Sequence, residues 1–258
     1  MATTTKIDNT GRFVWFEHVS KDTSKAQGFL GELFGWSTQT VPMPDGPYAM
    51  IAAGDKRTIG GYAPTPAGGP AEAMWLAHLC VKSAAESAAK AKSLGATIVQ
   101  EPTKVGDFGT MAIVKDPFGA VFSLWQPGKP EVIPPTENGT FCWNELISPD
   151  PAASTKFYTE LGFTGHDEAD MGPMGTYYML KDASGTPRAG IVKNTTPMPP
   201  QWTPYVQVAS ADTTLAKAKK LGGNVVAGPE DIPDVGRFGI VIDTLGAVIG
   251  VLQPPSRS

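Results

Sequence analysis

The sequence is poor in cysteine: it has only Cys80 and Cys142, and they do not form a CxxC motif. Two such cysteines indicate neither a disulfide scaffold nor a thiolate zinc site. It has no apolar run of about 18 residues, so no membrane-spanning helix is expected, and its polar start lacks the apolar stretch of a signal peptide. Basic residues are not in excess, since 21 lysines and arginines face 25 aspartates and glutamates. We therefore expect a cytoplasmic protein that binds neither nucleic acid nor membranes.

The chain does contain an internal repeat. Residues 107–127 align with residues 234–254 at a constant offset of 127, and ten of these 21 positions are identical. Near the start of each copy the offset becomes 128, which pairs Trp15 with Trp143 and Glu17 with Glu145. Ordered matches of this length indicate a duplicated module.

Proline-rich segments mark the predicted boundaries, because proline interrupts helices and central strands. The segment 127–136 separates module 1 (residues 11–128) from module 2 (residues 138–255), and the segments 64–70 and 197–204 split each module into halves. Each half is predicted to form a strand, a helix capped by a residue such as Asp22 or Ser83, and three further strands, among them Thr97–Glu101. The predicted fold class is α+β, with four βαβββ units.

Several of these segments resemble the vicinal oxygen chelate superfamily, which includes glyoxalase I, bleomycin-resistance proteins and extradiol dioxygenases. The segments are FLGELFGW and FYTELGF at the helices, and DPFGAVFSLW at the closing strand. WNELISPD and DIPDVGRFGIV further resemble two-module bacterial glyoxalase- or hydroxylase-like proteins. The resemblance covers residues 13–253 and implies curved mixed sheets around ligand cavities.

The resemblance also implies where a divalent metal ion would bind, because metal-dependent members place His, Glu or Gln at set strand positions. At these positions this chain has Trp15 and Trp143, Leu76 and Thr203, Ser123 and Gly250, and the residues at 60–61 and 189–190. None of these side chains offers an imidazole or a carboxylate. We therefore expect no metal and no other cofactor, although displaced ligands stay an alternative.

Strand alternation supplies other candidates for chemistry. Glu17 and Glu145 share a face with Trp15 and Trp143, and His78 shares one with Leu76. Glu17, His78 and Glu145 are the candidate acid–base residues, since a carboxylate in an apolar cavity suits proton abstraction. The alternative is that the glutamates fix their strands by binding backbone amides or an arginine, and that His78 is a structural histidine.

Aromatic and polar side chains on the same strands are the candidate ligand contacts. They are Trp15, Trp143, Trp125, Tyr205, Gln207 and Arg237. The tryptophans would stack on a planar ligand or, alternatively, fill the cavity. His18 is predicted to face the helix layer or solvent, and His166 to be solvated. Cys80 and Cys142 are expected to be inert, buried thiols.

Taken together, these features predict a metal-independent tandem protein that binds or transforms a small hydrophobic or aromatic metabolite. The alternatives are a metal-dependent lyase with displaced ligands and a non-catalytic regulatory or interaction protein. The expected partner is a small molecule. Because two modules are already joined in one chain, a monomer is plausible and a homodimer is the alternative.

Overall fold

The computed structural model describes residues 8–43, 46–55, 57–129 and 136–255. Module 1 contains, in chain order, β1 (Phe13–Ser20), α1 (Thr23–Phe34), β2 (Ser37–Met43), β3 (Gly46–Ala53), β4 (Arg57–Pro64), β5 (Met74–Cys80), α2 (Ala84–Ser93), β6 (Thr97–Val105), β7 (Gly109–Lys115) and β8 (Val121–Pro127). This order is the predicted βαβββ unit, formed twice.

Module 2 repeats the order. It contains β9 (Phe141–Ser148), α3 (Pro151–Thr159), β10 (Gly165–Asp170), a 3-10 turn at Gly172–Met174, β11 (Thr176–Lys181), β12 (Pro187–Lys193), β13 (Gln201–Gln207), α4 (Ala211–Lys220), β14 (Asn224–Ile232), β15 (Gly236–Ile242) and β16 (Val248–Gln253). Within the part of the chain that the structure describes, no helix has the length and apolarity needed to cross a bilayer.

The strands form two mixed, eight-stranded sheets. Their orders are β2-β3-β4-β1-β5-β8-β7-β6 and β10-β11-β12-β9-β13-β16-β15-β14. The first strand of each half pairs in parallel with the last strand of the same half, as β1 does with β4 and β5 with β8. The intervening hairpins are antiparallel. The α+β class and the tandem modules are therefore confirmed.

Chain contacts group the halves differently from the sequence repeat. One compact unit holds α2, α3, β6–β8, β10–β12 and most of β5 and β9, and the other holds α1, α4, β2–β4, β14–β16 and most of β1 and β13. Each unit thus draws one half from each module. The boundaries at 11–128 and 138–255 stay a prediction.

Helix starts follow the predicted capping chemistry. The Asp22 carboxylate accepts a hydrogen bond from the amide of Lys25 at 2.9 Å, and the Ser83 hydroxyl accepts one from the amide of Glu86 at 3.2 Å. These oxygens satisfy amides that have no partner inside the helix. Gly35 ends α1 with φ at 74°, a left-handed conformation that favours glycine.

A buried aspartate closes the turn before the last strand of each module. Asp116 Oδ1 accepts hydrogen bonds from three turn amides, and Tyr158 donates to its other oxygen at 2.8 Å. Burial raises the pKa of Asp116, against the lowering effect of these hydrogen bonds. In the other unit Asp243 makes the same turn, and His18 Nε2 lies 2.7 Å from its Oδ2. His18 is fully buried, so its side chain does not face solvent, which was one of its two predicted orientations.

Candidate functional site

A chain of hydrogen bonds links Trp15, Tyr48 and Glu17 on the N-terminal half of module 1. The Trp15 indole Nε1 donates to the Tyr48 hydroxyl at 3.0 Å, and that hydroxyl donates to Glu17 Oε1 at 2.5 Å. All three side chains are half-buried. Glu17 on β1 and Gly61 on β4 are register partners, so the Tyr48 side chain reaches Glu17 from β3 across Gly61.

Gly61 makes this crossing possible because it has no side chain. A Cβ at position 61 would lie 1.9 Å from the Tyr48 hydroxyl oxygen. Any other residue at this position would therefore displace the tyrosine. The hydroxyl occupies the space into which the side chain of residue 61 would project.

Module 2 contains the same arrangement. Tyr177 on β11 donates to Glu145 Oε2 at 2.8 Å, and Gly190 on β12 is the register partner of Glu145. A Cβ at Gly190 would lie 1.9 Å from the Tyr177 hydroxyl oxygen. The two tyrosine–glutamate pairs are thus built from the same residue types at the same strand positions.

The electrostatics of the module 1 pair fix the direction of its hydrogen bond. Burial raises the pKa of Tyr48 well above its usual value, and the charge of Glu17 and the hydrogen bond to it raise the pKa further. Tyr48 therefore keeps its proton throughout the physiological pH range and donates it to Glu17. The pair presents to a ligand the acceptor lone pairs of a carboxylate.

His78 lies in a different local setting, on β5. It is 4% exposed, and its register partner on the adjacent parallel strand β8 is Ser123. Register partners on neighbouring strands project to the same face of a sheet. The Trp125 ring stands edge-on to the His78 ring, with 6.2 Å between centroids and 83° between planes. Ser123 is fully buried, and its hydroxyl makes no hydrogen bond to any residue that the structure describes.

The corresponding pair in module 2 is Tyr205 and Gly250, which are register partners on β13 and β16. A Cβ at Gly250 would lie 2.4 Å from the Tyr205 ring, so the ring fills the space beside the glycine. Tyr205 is 6% exposed, and its carbonyl accepts a weak hydrogen bond from Cys142 Sγ at 3.4 Å. Gln207 donates from its side-chain amide to Asn138 Oδ1 at 3.2 Å.

Arg237 binds two neighbouring carboxylates. Its Nε and Nη2 bond both oxygens of Asp212, at 2.6 and 3.1 Å, and its Nη1 lies 3.0 Å from Asp231 Oδ2. The hydrogen bonds that Arg237 donates to Asp212, and then those to Asp231, raise its pKa. Arg237 therefore has intramolecular partners on its own surface, and ligand binding by Arg237 stays a prediction.

His166 and the two cysteines are in settings that do not favour reactivity. His166 is exposed, as predicted, and its Nε2 lies 3.2 Å from Glu168 Oε1. Cys80 is buried as expected, whereas Cys142 is only half-buried; the burial of its thiol nevertheless raises the pKa of Cys142 to about 12. Since the thiolate is the nucleophile, a cysteine with such a pKa is unreactive at neutral pH.

The residues at the implied metal positions do not fit a divalent ion. Trp15 donates its only polar hydrogen to Tyr48, and tyrosine hydroxyls fill the space beside Gly61 and Gly190. Among the residues that the structure describes, no three His, Cys, Asp or Glu side chains come together in a group that could hold a metal ion. The implied positions themselves thus lack the imidazole and carboxylate donors that zinc, manganese or iron prefers in proteins.

Sequence reasoning placed Glu17 and Glu145 on one strand face with the tryptophans, but it missed their tyrosine partners. The structural alternative named an arginine or backbone amides as partners, and a tyrosine from the second strand away contacts each glutamate. A signal for this existed in the repeat: Tyr48 and Gly61 recur as Tyr177 and Gly190, each 129 residues later.

Comparison with known proteins gives consistent matches. The model of the "Glyoxalase/Bleomycin resistance protein/Dioxygenase superfamily" matches residues 141–251. The chain is 33% identical over 247 residues to "Putative glyoxylase CFP32" of Mycobacterium tuberculosis, covering 93% of this chain and 94% of that protein. It is 27% identical over 260 residues to "Anthracycline biosynthesis protein DnrV" of Streptomyces peucetius, covering 94% and 93%.

Solved structures match in fold at low identity. The Mn(II)-bound glyoxalase from Novosphingobium aromaticivorans has a TM-score of 0.65 at 16% identity, covering 96% of this chain and 83% of that one. The halotolerant catechol dioxygenase BphC has a TM-score of 0.62 at 13% identity, covering 95% and 87%.

Proposed function

The chain belongs to the glyoxalase/bleomycin resistance protein/dioxygenase superfamily, and from this premise we propose that it binds a small planar aromatic molecule without the help of a metal ion. The observation that carries the proposal is the duplicated tyrosine–glutamate pair over a glycine. The hydroxyls of Tyr48 and Tyr177 bind Glu17 and Glu145 and fill the space beside Gly61 and Gly190, which lie at positions where the resemblance implies a metal ligand.

The chemistry of the pairs favours a ligand that donates hydrogen bonds. The single hydroxyl hydrogen of Tyr48 is directed at Glu17, so the pair offers a ligand acceptor lone pairs and negative charge. A ligand hydroxyl or N–H that binds a carboxylate makes a charge-assisted hydrogen bond, which is stronger than a neutral one.

Aromatic surface next to the pairs favours a flat ligand. Trp15 is half-buried and held in place by its bond to Tyr48, and Trp143 is half-buried at the equivalent position of module 2. An offset or edge-to-face contact between aromatic rings adds about 0.5–1.5 kcal/mol beyond burial of their area. A side chain that is already fixed loses little further entropy when a ligand stacks on it.

The names of the matched proteins support this class of ligand. One relative is named for anthracycline biosynthesis, and a structural neighbour is a catechol dioxygenase. Anthracyclines and catechols are both aromatic compounds that carry hydroxyl groups. The shared chemistry is therefore a flat ring system with hydrogen-bond donors.

Calorimetric titration tests the proposal. Protein dialysed against a chelator is titrated with 2-hydroxyanthraquinone and with 2-naphthol, with and without added Mn(II). We expect binding that does not depend on Mn(II) and that weakens about tenfold in Glu17→Gln/Glu145→Gln, since each charged acceptor becomes a neutral amide. Gly28→Ala, on the exposed side of α1, is the matched control and should bind as the wild type does. Binding that appears only with Mn(II), or no binding at all, would overturn the proposal.

A second candidate is proton-transfer catalysis on the same ligand. It is favoured by one observation: the raised pKa of Tyr48 keeps its proton in place, so that Glu17 is the acceptor of the pair. In that case a ligand C–H or O–H directed at the carboxylate would be the proton donor. Turnover lost in Glu17→Gln, with binding preserved, would support catalysis over binding alone.

A further inference from the structure

Two arginines share one buried carboxylate in the compact unit that contains α2 and α3. Arg12, which directly precedes β1, and Arg188, on β12, each donate through Nε to Asp182 Oδ2, at 2.7 and 2.8 Å. The Asp182 side chain has no exposed surface, whereas the two arginine side chains are 18% and 38% exposed. Because both Nε atoms bond to the same oxygen, two guanidinium groups lie side by side within reach of solvent.

This cluster carries more positive charge than its carboxylate neutralises. The other oxygen of Asp182, Oδ1, accepts only from neutral donors, which are the amides of Ser184 and Thr186 and the Ser184 hydroxyl. Nearby, Asp8 lies within electrostatic range of both Lys82 and Asp182, and its charge offsets that of Lys82. Two guanidinium charges therefore face the single charge of Asp182, which leaves one positive charge in excess.

Most hydrogen-bond donors of both guanidinium groups are unused. Among the residues that the structure describes, Asp182 is the only group to which the side chain of Arg12 or Arg188 bonds. The N–H donors on the terminal nitrogens Nη1 and Nη2 of both arginines are therefore available to a ligand. An anion bound there receives charge-assisted hydrogen bonds from side chains that Asp182 already holds in place, so little further entropy is lost.

The fold does not require an arginine at position 12. The repeat places Thr140 at the equivalent position, directly before β9. The Thr140 hydroxyl donates to the carbonyl of Glu137 in its own turn, and the Glu137 carboxylate accepts a hydrogen bond from Arg57 Nη1 on β4 at 2.9 Å. The equivalent position of the other compact unit thus holds an uncharged residue, and the ion pair beside it joins one arginine to one carboxylate.

We propose that Arg12 and Arg188 form a binding site for a phosphate group, which neutralises the excess charge and accepts hydrogen bonds from the terminal nitrogens of both side chains. A carboxylate is planar, and one guanidinium group satisfies it. The oxygens of a phosphate point in several directions and accept from two guanidinium groups at once. The ligand is free phosphate or the phosphate ester of a small metabolite. This inference goes beyond the proposed function, since it involves neither an aromatic ligand nor the tyrosine–glutamate pairs.

Calorimetric titration with inorganic phosphate, in a phosphate-free buffer of low ionic strength, tests the site. We expect the wild type to bind one phosphate per chain. Arg12→Thr, which copies Thr140, and Arg188→Gln should each weaken binding at least about tenfold, because each removes charge-assisted hydrogen bonds. The matched control is Arg57→Gln, which removes an arginine of similar exposure, 34%, from its pair with Glu137 and should bind phosphate as the wild type does.

Two further probes define the ligand. Acetate, titrated at the same ionic strength, should bind at least about tenfold more weakly than phosphate, since it is planar and carries a single charge. Phenyl phosphate should displace inorganic phosphate from the site. Whichever of the two phosphates binds more tightly identifies the ligand as the free ion or as an ester.

The outcomes decide the inference without reference to the binding of 2-naphthol. Circular dichroism shows whether each variant is folded, and Arg188→Gln, at the more exposed arginine, decides alone if Arg12→Thr does not fold. The inference is overturned if the wild type binds no phosphate, if acetate binds equally well, or if a folded Arg12→Thr or Arg188→Gln binds phosphate as the wild type does. An equal loss of binding in Arg57→Gln would also overturn it, because the effect would then follow net charge and not the arginine pair.

Discussion

Replacing Gly61 with alanine tests whether the tyrosine–glutamate pair depends on a missing side chain. The new Cβ would lie 1.9 Å from the Tyr48 hydroxyl oxygen and 2.4 Å from its Cζ, so the ring must move by more than 1 Å to reach ordinary contact distance. That movement breaks a hydrogen bond of 2.5 Å to a carboxylate. Since hydrogen bonds to charged groups contribute about 1.5–3 kcal/mol, we expect Gly61→Ala to lower the free energy of unfolding by about that amount.

Urea denaturation followed by tryptophan fluorescence measures this change, and calorimetry with 2-naphthol measures its effect on binding. Gly28→Ala is the matched control, because nothing lies within 4 Å of a Cβ at that helical position and alanine should stabilise α1. Tyr48→Ala should remove most of the cost of Gly61→Ala when the two are combined. A Gly61→Ala protein as stable as the wild type, with unchanged binding, would refute the reasoning.

Other parts of the structure make further predictions. Burial alone would raise the pKa of Asp182, but its bonds to Ser184, Arg188 and turn amides lower it. The Asp182 carboxylate therefore stabilises the protein above about pH 4, the pKa of an aspartate in the unfolded chain, and this stabilisation is lost as the pH falls below that value. The urea midpoint of Asp182→Asn should therefore depend less on pH below 4 than the wild-type midpoint does. His18→Leu removes the histidine partner of the buried Asp243 Oδ2 and should lower the free energy of unfolding by about 1–3 kcal/mol, measured by urea denaturation; an unchanged midpoint would contradict this. The native Cys142 thiol should react with a disulfide reagent at pH 8 at least about tenfold more slowly than in urea, because its pKa is raised to about 12. Equal rates would count against the burial of this thiol.

The sequence was sufficient for the repeat, the βαβββ order and the helix caps, because these depend on residues close in the chain. Strand β6 runs to Val105, beyond the predicted Thr97–Glu101. Pro102 is tolerated because β6 is an edge strand, where a missing amide hydrogen does not break the sheet, and register shifts between β6 and β7 absorb the irregularity. The face of Glu17 followed from alternation along one strand.

The partners of the candidate site residues depend on register between strands that are distant in the sequence. Nothing near Glu17 in the chain specifies that Tyr48 crosses Gly61 to reach it, although the recurrence of tyrosine and glycine in module 2 carried that information. Similarly, the pairing of His78 with Ser123 emerges only once β5 and β8 are aligned in parallel.

The most direct test of the account is a titration of Mn(II) into the chelator-treated protein, followed by the loss of the free-ion signal in electron paramagnetic resonance. With tryptophan, serine and glycine at the implied ligand positions and tyrosine hydroxyls beside Gly61 and Gly190, we predict no stoichiometric site in the micromolar range. One or two tightly bound Mn(II) ions per chain, released by Glu17→Gln or Glu145→Gln, would contradict the account.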